Sequence, residues 1–304
     1  MKLNPVYKRE TTVSSRSFRL ALILAIFNTI LALVVLLNMY SVVERVKLTA
    51  EIQYSSFTNL YIFVAAVEFV MLMFIMPALT AGSISGERER QTLDLLLTTT
   101  LKPWEIIWGK FTSSFSTMFL MIMSSFPLLA VSFVYGGVMI YDVVLLLFCY
   151  LAVALLCGSM GICFSTLFKR STIATVVSYG VLVLIGAGTY AVNVFALSMA
   201  RMNISSTYAM SVGGMADQTS SGACLYLLLL NPVATFYAMI NGQTGDSQVV
   251  RSLNSWFGPH PDNFIMENWV VLSIFIQLAL AAIFMFIAVK VISPSKGKKI
   301  RKIK

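Results

Sequence analysis

Two apolar blocks, LYIFVAAVEFVMLMFIMPALTA (Leu60–Ala81) and FTSSFSTMFLMIMSSFPLLAVSFV (Phe111–Val134), flank a polar insert, GSISGERERQTLDLLLTTTLKPWEIIWGK (Gly82–Lys110). Each block is continuously apolar and has the length that crosses a bilayer core as a helix, about 20 residues. Barrel strands would alternate in and out over about 10 residues, and these blocks do not. Working outward, four more blocks repeat the pattern at residues 19–40, 142–168, 171–197 and 269–292. Over the 304 residues, 58% are hydrophobic and 12% charged. A water-soluble domain carries about 25% charged residues, so the excess apolar surface must face lipid. The expected fold is all-α and integral to the membrane, with six transmembrane helices in one domain spanning 1–304. The first block is too long for a signal-peptide core and no small-residue cleavage site follows it, so it is expected to be retained. A polar loop is expected over residues 41–59, and tight turns at Gly136-Gly137 and Lys169-Arg170.

One further stretch, ACLYLLLLNPVATFYAMI (Ala223–Ile240), approaches span length but carries Asn231-Pro232 at its middle. The residue before proline is pushed out of helical geometry, and broken backbone at membrane depth must be buried in protein or line a cavity. Residues 223–241 are therefore read as a re-entrant helical segment on the extracytoplasmic side. Charge supports six crossings. With six, one side of the membrane collects 18 of the 22 Lys and Arg residues, leaving Arg45, Lys47, Arg201 and Arg251 on the other. By the positive-inside rule both termini are expected in the cytoplasm, in a multi-pass protein of the cell membrane.

Several chemistries find no support. Cys149, Cys157, Cys163 and Cys224 form no C-x-x-C pair, so neither a metal site nor a disulfide framework is indicated. His260 is the one histidine, and the spans lack a Ser/His or Asp/Asp pair, which counts against an intramembrane hydrolase. The net charge of +9 lies beside the spans, where it suits orientation and anionic lipid better than nucleic acid.

Within the insert, Glu87, Arg88, Glu89 and Arg90 precede Leu93, Leu96 and Leu97 at helical spacing. This predicts a short amphipathic helix over Glu87–Leu97. Pro103 then suits the first turn of a new helix, with Glu105 at its favourable end. By periodicity alone the amphipathic helix could lie on the lipid surface.

The wording of this segment resembles the ABC-2 type permeases, membrane subunits of one class of ATP-binding-cassette exporters. The matching residues are Glu87, Arg88, Glu89, Thr92, Leu93, Asp94, Leu95, Leu96, Trp104, Glu105, Ile106, Gly109 and Lys110. Asn4-Pro5 with Arg9-Glu10 and Arg16 is similar to the start of many such permeases. Thr100 stands where proline is common. Lys102 replaces the serine that would cap the next helix, so the capping box before Glu105 is expected to be lost. The resemblance implies a permease dimer, with a second copy or a paralogue, docked on separate ATPase subunits that bind ATP and magnesium. It implies an N-terminal interfacial elbow helix and a cytoplasmic coupling helix contacting the ATPase through Glu87, Arg88, Glu89, Thr92, Leu93, Asp94, Leu96 and Leu97. The chain itself has no G-x-x-x-x-G-K-[ST] phosphate loop, so it is expected to hold no cofactor and to be no enzyme. An ABC-like sensor or immunity subunit without translocation is the alternative the resemblance leaves open.

Glu68 is the one acidic residue well inside a span, about 12 Å deep at 1.5 Å per residue. A charge there costs about 2.5–3.5 kcal/mol on insertion scales. It is a candidate for the translocation path, or for a hydrogen-bonded packing role. Small residues in the fourth span (Ala152, Ala154, Gly158, Ser159, Gly161) suit close helix packing.

Overall fold

The computed structural model describes residues 4–49, 54–93, 96, 98, 101–134, 139–208, 219–243, 249–261 and 263–293, and these are helical or irregular, with no strand among them. Six runs are long and apolar enough to cross a membrane: Leu20–Leu48, Thr58–Glu89, Pro103–Ala130, Ile140–Leu167, Ser171–Asn203 and Trp269–Ile292. In chain order the elements are α1 (Pro5–Ser15), α2 (Phe18–Thr49), α3 (Tyr54–Thr80), α4 (Ser85–Glu89), α5 (Pro103–Val134), α6 (Ile140–Leu167), α7 (Ser171–Val183) and α8 (Thr189–Tyr208). After a 3₁₀ helix at Gly222–Leu230 come α9 (Pro232–Gln243), α10 (Val249–Phe257), α11 (Phe264–Glu267) and α12 (Trp269–Ile292).

The polar segment expected to be a loop from residue 41 is helical to Thr49. No Gly or Pro interrupts Phe18–Thr49, and Lys47 pairs with Glu44 at 2.9 Å on the same face. At 1.5 Å per residue α2 is about 48 Å long, more than the roughly 30 Å apolar layer. Its last turns therefore stand clear of lipid, where charges carry no penalty.

The core is organised around α6, which packs most extensively on α12 and α3. Its small residues make this possible. A Cβ at Gly158 would meet Met76 Cε at 2.6 Å, and one at Gly161 would run into Thr80. The C-terminal ends of α3 and α6 are thus pressed together. Cys149, Cys157 and Cys163 are buried in the same helix.

α1 begins with Asn4, whose side chain accepts the Val6 N–H at 3.0 Å, and with Pro5 at the first helical position. Both choices favour helix initiation. α1 packs against the start of α5. There a Cβ at Gly109 would lie 2.8 Å from Val6 Cβ, so glycine sets the approach of the two helices. Asn4 also donates to the Glu105 carbonyl at 2.7 Å.

The Asn231-Pro232 break is present. The 3₁₀ helix and α9 meet at 95°. Asn231 caps α9 by accepting from Val233 N–H at 2.9 Å, and donates its amide to the Gly186 carbonyl and the Thr189 hydroxyl, both at 2.9 Å. Gly186 lies in a single π-helical turn, Leu184–Gly188, between α7 and α8. A π turn disrupts the regular ladder, and Asn231 supplies a partner for one of its carbonyls.

Candidate functional site

The charged insert is built into the helix ends around it through three polar clamps. In the first, buried Lys110 (6% exposed) bridges Glu10 of α1 at 3.0 Å and Glu87 of α4 at 3.2 Å. The Glu87 carboxylate also meets the Thr92 hydroxyl, and the Thr92 N–H donates to the Glu87 carbonyl at 2.9 Å. A polar cavity of about 250 Å³ surrounds this clamp, lined by Glu10, Ser83, Glu87, Arg90, Lys110 and Ser113 among others.

The second clamp ties the insert to the end of α6. Ser165 Oγ accepts the N–H groups of Ile84 and Ser85, each at 2.9 Å. Arg88 donates to the Thr166 carbonyl at 3.2 Å. Cationic donors suit the free carbonyls at a helix C-terminus. In the third clamp, Glu89 accepts the Ser171 N–H at 2.8 Å and the Ser171 hydroxyl at 2.9 Å. A carboxylate from one segment thereby caps the N-terminus of α7, the favourable end for negative charge.

The expected single helix over Glu87–Leu97 is divided. α4 ends at Glu89, and Gln91 follows with φ 57°. This left-handed conformation reverses the chain, as a glycine would at a helix end. A new turn starts at Thr92, with the Leu96 N–H donating to the Thr92 carbonyl at 3.0 Å. Leu93 and Leu96 turn inward. Leu93 is buried in a cluster with Ile84, Ile107, Phe111, Ile162 and Met285, and Leu96 packs on its edge. Asp94, Leu95, Leu97 and Thr100 lie outside the described residues. What the insert presents outward is the turn Glu89, Arg90 and Gln91, together with Thr98.

The next helix opens at Pro103 and runs unbroken into the span. Half of the capping box survives Lys102, because the Glu105 carboxylate accepts the Lys102 N–H at 2.9 Å. That half needs only a backbone N–H at the cap, which any residue but proline supplies.

Glu68 is fully buried, with one carboxyl oxygen against the Ser125 hydroxyl of α5 and the other without a partner among the described residues. Near it, Tyr150 of α6 donates to the Ala65 carbonyl at 2.8 Å. A cavity of about 550 Å³ lies between α3, the α7–α8 junction, α9 and α10. Its lining is nearly all apolar and includes Phe74, Tyr179, Tyr190, Tyr237, Trp256 and Phe257. From α3 it takes Val70, Met73 and Phe74, which at 100° per residue lie on the face opposite Glu68.

Sequence reasoning identified the acidic-basic run but missed its partners Lys110, Glu10, Ser165 and Ser171. The positions of Glu10 and Lys110, ahead of the first and third expected spans on one expected membrane side, were a usable signal. Nothing in the sequence marks Ser165. Among known proteins, the model of the family described as ABC-2 family transporter protein matches residues 4–292. No curated protein matches the chain.

Proposed function

The chain belongs to the ABC-2 transporter family, and from that premise we propose that it is the permease of an exporter powered by a separate ATPase subunit. Its six apolar helices make it a membrane component of such a transporter. The permease acts as a dimer, with both termini and the insert Gly82–Lys110 in the cytoplasm. The observation that carries this reading is the three-clamp insert. One turn, Glu87–Glu89, is fastened directly to α5, α6 and α7, and through Lys110 to Glu10 of α1. A force applied there by an ATPase is delivered to four helices without an intervening flexible link.

The reading refines the docking surface. Glu87, Arg88 and Leu93 act inside the permease as transmitters, and the outward turn Glu89–Gln91 with Thr98 meets the ATPase. Asp94, Leu96 and Leu97 complete the coupling segment. The cargo passes along the apolar cavity between α3, the α7–α8 junction and α9, so an amphiphilic or apolar molecule fits better than a sugar or an ion. Glu68 serves packing instead of the path.

The test is reconstitution of the chain with its ATPase subunit in vesicles. Expected are ATP-dependent movement of an apolar fluorescent cargo to the extracytoplasmic side, and stimulation of ATP hydrolysis by that cargo. Stimulated hydrolysis without movement would replace the exporter by a sensor.

A further inference from the structure

We propose that the groove between α5, α6 and α12 is a binding site for an anionic diacyl phospholipid of the cytoplasmic leaflet, separate from the cargo cavity. The groove holds about 370 Å³, within the range of roughly 300–1,000 Å³ that ligand pockets occupy. Trp104, Trp108 and Phe111 line it from α5, Leu155 from α6, and Ala281 and Phe286 from α12. The lining is almost wholly apolar, and Trp104, Trp108 and Phe286 are 47%, 44% and 68% exposed. That chemistry fits acyl chains.

Two features select the headgroup end and its charge. The indoles of Trp104 and Trp108 are stacked, with centroids 5.1 Å apart and planes at 15°. They occupy the first two turns of α5, at the depth where amphipathic rings collect at a membrane boundary. Beyond them the ends of the helices that form the groove are cationic. Lys102 immediately precedes α5, and exposed Lys290 follows Phe286 by four residues on the same face of α12, about 6 Å nearer the helix end. Among the described residues neither lysine is ion-paired. The nearby Glu105 carboxylate is turned to the Lys102 N–H. A run of Lys296, Lys298, Lys299, Arg301, Lys302 and Lys304 continues the chain.

A second copy of the chain fits this groove less well. A two-fold interface places the same patch on both sides, so it would bring identical cationic helix ends together, and like charges across an interface oppose association. A phosphate-bearing headgroup neutralises them.

The experiment uses the full chain in neutral detergent micelles, where the result depends on neither an ATPase nor membrane sidedness. Trp256→Phe and Trp269→Phe leave Trp104 and Trp108 as the fluorophores. The protein is titrated with brominated phosphatidylglycerol and with brominated phosphatidylcholine. Phosphatidylglycerol is expected to quench at about fivefold lower mole fraction, Lys102→Gln or Lys290→Gln to remove about twofold each, and the two together to abolish the preference. Ala282→Phe, which fills the groove, is expected to weaken quenching by both lipids. Mass spectrometry of the unaltered chain gives an independent reading, with phosphatidylglycerol adducts expected to exceed phosphatidylcholine adducts about fivefold in an equal mixture. Equal quenching and equal adducts would overturn the site, leaving ordinary lipid contact. Disulfide cross-linking between copies through Ala282→Cys, in membranes and without the native cysteines, would also overturn it by making the groove a protein interface.

Discussion

Replacing Lys110 by methionine removes the cation that joins α1, α4 and α5 while keeping most of its apolar stem. Lys110 is 6% exposed, and its partners Glu10 and Glu87 retain 35% and 23% side-chain exposure. Truncating one partner of a fully buried pair costs about 3–5 kcal/mol, because the other charge is left unpaired. Here the stranded carboxylates recover part of their hydration, so the expected loss is about 2 kcal/mol. Glu87→Gln alone should cost about 1 kcal/mol, since Lys110 keeps Glu10 and the amide can still meet Thr92. The combined Lys110→Met, Glu87→Gln variant should be less destabilised than the sum of the two, by about 1 kcal/mol, because one of the stranded charges is gone. Buried Cys149, Cys157 and Cys163 supply the assay, reacting with a thiol-sensitive dye only as the bundle opens. With about 2–4 °C per kcal/mol for chains of 150–250 residues, and the lower slope suited to this longer one, Lys110→Met should melt about 4 °C below the parent. Melting within about 1 °C of the parent, or strict additivity in the pair, would refute the clamp as a structural tie.

Asn231→Ala removes the α9 cap and both bonds to the α7–α8 junction, and should cost about 2 kcal/mol; Asn231→Asp, which keeps only the cap, should lie between. Equal melting of Asn231→Ala and parent would show that the bend holds without this side chain. Single cysteines at Asn254 and Ser293, in a background free of native cysteines, test topology in intact cells: an impermeant reagent should label the first and not the second. Labelling at Ser293 would require the bent pair to cross the membrane. Glu68→Gln should leave transport and cargo range unchanged, whereas Glu68→Ala should destabilise by about 2–4 kcal/mol through the space it opens. An altered cargo range in Glu68→Gln, at unchanged stability, would return this residue to the path.

The spans were legible because lipid imposes a one-dimensional constraint: some 20 apolar residues with charges kept outside. Asn231-Pro232 was legible for a local reason, since the residue before proline is pushed out of helical geometry and Asn is a favoured helix cap, whereas Pro77 and Pro127 are carried inside α3 and α5. Helix ends were less so. Glu44, Arg45 and Lys47 make Ser41–Thr49 read as the end of a span, and the helix continues because no residue stops it. The break at Gln91 could not be read, because glutamine carries no preference for the left-handed region. The turn is set by what lies on either side, with Glu87 drawn to Lys110 and Leu93 drawn into the core. The clamps join residues 23, 82 and 100 positions apart, and pairing at that range follows from packing, which a single sequence does not display. The leucines illustrate the cost of reading a face without its neighbours. Leu93 looked like half of an outward docking stripe, yet it completes the interior of this chain.

The central claim is that the outward turn of the insert receives the ATPase while its inward residues only transmit. Arg90→Glu addresses it most directly, because Arg90 is exposed and forms no ion pair among the described residues. The measurement is the amount of ATPase subunit that co-purifies with the permease, together with the melting temperature of the permease alone. The account predicts co-purification reduced about tenfold or more, the scale of a mispaired charge in an interface, with melting within about 1 °C of the parent. Undiminished co-purification and transport in Arg90→Glu, with the same melting temperature, would contradict it.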